Sequence, residues 1–131
     1  MNLKIYSLLL VLQLLISSTH FKTCNNINLY KLMIFILHHL LDIYVFFGFL
    51  INETKNDYIL HLFTIMSILI HWFTNNYDCA LTVHLNELCG FDKKLWFQSI
   101  VYKIYKLTNI YYIHSFWILG LIIYDLFQIL N

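Results

Sequence analysis

The sequence predicts an all-α integral membrane bundle, with four membrane-spanning helices and one amphipathic helix lying in the cytosolic interface. Three observations predict it. Of the 131 residues, 60% are hydrophobic and 11% are charged, against a charged share of ~25% in ordinary soluble domains. Mean hydropathy is +0.68, and a single domain of this length cannot hide so much apolar surface from water. The apolar residues also gather in proline-free runs of membrane-spanning length. Lipid obliges such runs to satisfy their backbone groups internally, as helices.

The first apolar segment, 5–18, follows Met1-Asn2-Leu3-Lys4 and ends in Ser17-Ser18-Thr19. One positive charge, an apolar centre over 8–16 and small polar residues also describe a cleavable leader. The second segment, 29–51, is 23 residues long, or about 35 Å as a helix, enough to cross a bilayer with some tilt. The third, 58–74, is near the lower limit at about 26 Å. The fourth, 110–130, completes the set. Between the third and fourth runs a loop, 75–109. Within it, over 95–108, Phe97, Ile100, Val101 and Ile104 gather on one helical face, with Ser99, Lys103 and Lys106 opposite. That is the pattern of a helix lying among headgroups.

Lysines set the expected orientation. With four spans, Lys22, Lys31, Lys93, Lys94, Lys103 and Lys106 lie on one side, and Lys4 and Lys55 on the other. The richer side is expected in the cytosol, which puts both termini outside. A cleaved leader would force the basic loop outside against this rule, so four spans is the preferred reading. The sequon Asn52-Glu53-Thr54 falls on the extracytosolic side in this arrangement, in a loop too short to favour modification.

Net charge is +1 with no basic run, which leaves the lipid bilayer and a second copy of the chain as expected partners and excludes nucleic acid. Ile (19), Phe (11), Asn (11), Tyr (10) and Lys (8) dominate, while Arg and Pro are absent and Ala occurs once. This bias matches an AT-rich genome and lowers the functional weight of any single Tyr, Asn or Lys. Cys24, Cys79 and Cys89 are an odd set without a CxxC pair, indicating neither a disulfide framework nor a zinc site. In Cys79-x4-His84-x4-Cys89, steps of five residues on a helix send successive side chains to different faces.

Ionisable residues inside spans are costly and are functional candidates by default. In the second segment, His38 and His39 stand at i−4 and i−3 to Asp42, so either imidazole can pair with the carboxylate. In the fourth, His114 and Asp125 share a face, and the third holds His61 and His71. His71 and His114 lie at similar depth from the cytosolic end. With Asp78, Cys79 and Thr82 they form a candidate inward-facing polar cluster. No nucleophile–base constellation, phosphate-cradling glycine loop or HExxH motif appears, so no catalytic residue is assigned.

His39, Gly48, His61 and Cys79-Ala80-Leu81-Thr82 together resemble a family of small bacterial inner-membrane proteins of unknown function. That family carries a His, a glycine-ended first span, a second His and a Cys-Pro-Leu-Thr signature followed by Glu. Here Ala80 stands in the proline's place, and Glu87 falls two residues later than the pattern has it. The stretch from His71-Trp72 through Asn76 and Cys79 to Leu81-Thr82 is also similar to short hydrophobic proteins of giant DNA viruses. The resemblance covers about 33–90 and implies architecture and viral origin, not chemistry. The leading expectation is a structural or interaction membrane protein, a viral membrane component on this resemblance, without enzymatic activity or cofactor. The alternatives are a small proton- or ion-conducting protein and a bis-histidine haem protein.

Overall fold

In the computed structural model, the structure describes residues 1–75, 78–91 and 113–131, and of residues 19, 20, 113 and 114 the backbone only. The described residues form five helices and no strand: α1 (Leu3–Phe21), α2 (Leu29–Ile51), α3 (Lys55–Thr74), α4 (Ala80–Cys89) and α5 (Ile113–Leu130). The interfacial helix expected over 95–108 lies outside the described residues, as do 110–112 of the fourth segment.

Local signals set the helix ends. The Asn28 side chain accepts from the Lys31 N–H and caps α2. Thr54 and Asp57 form a reciprocal capping box, which starts α3 at Lys55, three residues before the apolar run. Asn26 takes a left-handed backbone in the α1–α2 turn. Gly90 does the same just past α4, where φ is +75° and a side chain would be strained. Residues 80–89 were expected to be loop. They form α4 instead, because the helix has tertiary support: Leu85, Asn86 and Cys89 are buried.

Helix α2 is the hub and touches each of the other four. One half of the core joins α1, α2 and α4 through Phe21, Cys24, Phe35, Leu85 and Cys89. The other joins α2, α3 and α5 through Val45, Phe46, Ile65, Ile118 and Leu121. A disulfide, Cys24–Cys89, closes the first half across 65 residues of sequence, correcting the expectation that the three cysteines carry no bridge. Three cysteines do not specify a pair, and only the packing of α4 beside the α1–α2 turn brings these two together.

Polar side chains interrupt this core, and many large apolar ones lie outside it. Gln13, Ser17, His39, His61, Asn86 and Asp125 are at most 1% exposed, whereas Leu8, Phe63, Ile70, Phe73, Phe116, Ile123 and Phe127 are 60–70% exposed. Helices α2 and α3 are long and apolar enough to cross a membrane, and α1 and α5 carry the shorter apolar stretches Leu3–Ser18 and Ser115–Leu130.

Candidate functional site

Buried and part-buried polar side chains gather in two centres around α2. In the first, Gln13 of α1 reaches two residues of α2. Its Nε2 donates to Asp42 Oδ2 at 2.8 Å and stands 3.1 Å from His39 Nδ1. With Nδ1 as acceptor, the proton of a neutral His39 ring sits on Nε2. The Phe35 ring stands edge-on to His39, 4.5 Å away. One residue earlier on α2, His38 Nε2 lies 2.9 Å from Thr82 Oγ1 of α4. Cys79, at the N-cap of α4, lies within electrostatic reach of Asp42. The first centre thus binds α1 and α4 to α2 through one buried and two part-buried polar contacts.

The second centre joins α3 and α5. His61 Nδ1 stands 2.7 Å from Asp125 Oδ2, with both side chains fully buried. The opposite ring nitrogen, Nε2, is 3.2 Å from the Val45 carbonyl of α2, which accepts its proton. Tyr44 packs edge-on at 5.2 Å. A carboxyl and an imidazole facing each other compensate one another in an apolar surround better than either would alone. Gly48 lets the ring lie against α2. Nearby, Trp117 Nε1 of α5 donates to the Phe46 carbonyl at 2.9 Å.

Residues of the expected His71–His114 cluster take several places. His71 Nε2 accepts from the Ala80 N–H at 3.3 Å and lies 3.1 Å from Asn75 Nδ2. It thereby satisfies an orphan N–H at the start of α4, where Cys79 gives no side-chain cap. Thr82 turns to His38. Asp78 is exposed and, with Asn75, Ala80, Val83, His84 and Glu87, lines an open groove of about 260 Å³. The side chain of His114 lies outside the described residues. Asp125 of α5 is engaged by His61.

Gln13 was missed by sequence reasoning, although its signal was available: it is the one amide in an otherwise apolar run. Outside the helix cores, the Met1 ammonium contacts Asp57 Oδ2 at 2.7 Å and Glu53 Oε2 at 3.2 Å. Hydrogen bonding to that ammonium, then to the Glu53 and Thr54 N–H groups and the Thr54 hydroxyl, holds the Asp57 carboxyl well below the usual carboxylate range, against a smaller opposing effect of burial. The same contact with Asp57, more than that with Glu53, raises the Met1 amine above its ordinary value, again against desolvation.

Among the described residues these features define a helical protein with an apolar core interrupted by two buried polar centres and with large apolar side chains on its exterior. Compared with family models, with curated proteins and with solved structures, the chain matches none.

Proposed function

We propose that the chain is a four-span membrane protein with a structural or interaction role, in which intramembrane polar residues tie helices together. The exposure of large apolar side chains beside sealed polar ones carries this reading. Large apolar side chains cover the outside of α1, α3 and α5, while Gln13, His39, His61 and Asp125 are sealed inside. Water would penalise that surface, and lipid would not. Helices α1 and α5, of 19 and 18 residues, are about 27–28 Å long and approach the thickness of a hydrocarbon core. Each buried polar group that ties two helices supports assembly, since interhelical hydrogen bonds replace the hydrophobic drive that is weak between helices in lipid. The resemblance of the stretch from His71 to Thr82 to short hydrophobic proteins of giant DNA viruses suggests a viral membrane component as the setting.

A second reading, proton conduction by an oligomer, is favoured by one observation: two ionisable groups, His61 and Asp125, face each other at 2.7 Å in the core.

The test is reconstitution of the purified full chain into liposomes under an imposed pH gradient, alongside alkaline carbonate extraction of the host membranes. The structural reading expects retention in the carbonate-washed pellet and proton flux at the level of empty liposomes. Flux above that level and abolished by Asp125→Asn selects conduction instead, and release by carbonate defeats the membrane reading.

A further inference from the structure

The junction between the α1–α2 turn and the end of α4 is built at three levels. Covalently, Cys24 is bonded to Cys89. In the backbone, the Asn25 N–H donates to the Cys89 carbonyl and the Phe91 N–H to the Asn86 carbonyl, closing the end of α4. In side chains, the buried Lys31 ammonium donates to the Asn25 carbonyl. Gly90 passes so close that a Cβ there would stand 2.9 Å from Asn25 Nδ2. Phe21, Phe35 and Leu85 cover the sulfurs. Cys79 remains the free thiol among the described residues.

We infer that Cys24–Cys89 is an oxidative modification site formed on the extracytosolic side of the membrane. The α1–α2 turn and the end of α4 then face an oxidising compartment, and the α2–α3 connection faces the cytosol. This inference rests on the four-span reading. Disulfides form and persist in oxidising compartments and are kept reduced in the cytosol. The two thiols lose two protons and two electrons in forming the bond. One thiolate attacks the disulfide of a protein thiol oxidoreductase, the second resolves the mixed disulfide, and the donor leaves as a dithiol. Because Cys24 and Cys89 are buried in the finished fold, the exchange precedes the seating of α4.

The lysine distribution in the sequence argues for the opposite orientation, since the four-span reading assigns Lys22, Lys31, Lys93, Lys94, Lys103 and Lys106 to the segments between the first and second and the third and fourth spans. That rule is a bias on insertion, whereas a persistent disulfide reports the chemistry of the compartment reached. Lys31, moreover, is spent on an internal hydrogen bond. The sequon agrees with the reversed orientation. Asn52 is 6% exposed and the Thr54 hydroxyl accepts from the Asp57 N–H, so this turn is not built to carry a glycan, and on the cytosolic side none would be added.

The full chain, carrying a protease-cleavable epitope after Asn131, is expressed in cells whose thiols are trapped by acid quenching and N-ethylmaleimide. Membranes are washed with carbonate first, and loss of the chain there defeats the four-span reading separately from this one. In retained protein, one of three cysteines is expected to be blocked before reduction and all three to be free after it. Cys79→Ser should give none before and two after, and Cys24→Ser should give two before. The epitope should resist protease in intact cells and be cleaved once they are permeabilised. Three thiols blocked before reduction, or an epitope cleaved from outside, overturns the inference.

Discussion

Gly48 and His61 adjoin with no space for one more carbon: a Cβ on Gly48 would stand 2.2 Å from His61 Nε2. The histidine cannot swing aside freely, because Asp125 holds Nδ1 at 2.7 Å and the Val45 carbonyl engages Nε2 at 3.2 Å. Glycine is needed here for the close approach of α3 to α2, not for backbone freedom. Gly48→Ala is therefore expected to destabilise the protein by roughly 1–3 kcal/mol, the usual cost of overpacking, as read by thermal unfolding in detergent. In a His61→Ala background the same substitution should cost far less. Equal costs in both backgrounds would show that the contact does not govern the site.

The His61–Asp125 pair should behave as a unit. His61→Leu alone strands a buried carboxyl and is expected to cost about 3–5 kcal/mol. Adding Asp125→Leu removes the stranded group and should recover most of that loss. Additive losses in the double variant, by denaturant or thermal unfolding, would argue that the two side chains are not coupled.

Loss of the disulfide should destabilise the protein by about 2–5 kcal/mol, as for native bridges that close long loops. Cys24→Ser, Cys89→Ser and the double variant should be equivalent, and reductant should bring the parent protein to their level. Cys79→Ser should stay within about 0.5 kcal/mol of the parent. Reductant-insensitive unfolding of the parent chain would contradict this assignment.

The Met1–Asp57 contact implies a pH window. Asp57 titrates below its ordinary value when folded, so its contribution is present above the ordinary carboxylate range, near pH 4, and is lost as pH falls through the lowered value. The Met1 amine titrates above its ordinary value of 8.0. Its contribution is complete below pH 8 and is lost as pH rises through the raised value. Thermal stability should therefore be flat between about pH 4 and 8 with respect to this pair. Asp57→Asn should remove the acid limb and most of the alkaline one, leaving the weaker Glu53 contact. The effect should be small and salt-sensitive, since the contact is exposed.

The fold was legible wherever neighbours in sequence decide structure. The run 29–51 reads as one helix from its hydropathy and its lack of proline, and α2 occupies those residues. Thr54-x-x-Asp57 is a readable start signal, and it moves the beginning of α3 to Lys55. Helix α4 was not legible, because its ten residues are held by contacts to α2 and by Cys24, distant in sequence. Within the sites, His38, His39, Asp42, His61 and Asp125 stood out because ionisable groups are conspicuous in apolar runs.

The sequence by itself determined the class of secondary structure, the apolar helical runs and the polar residues that interrupt them. Only the tertiary structure decided that Asp125 meets His61, that Gln13 joins His39 to Asp42, that Thr82 meets His38, and that Cys24 takes Cys89 and leaves Cys79 free. A helical wheel orders the residues of one helix but carries no information about which neighbour lies opposite. That choice is made by interhelical shape, as at Gly48, where a missing side chain leaves room for the His61 ring.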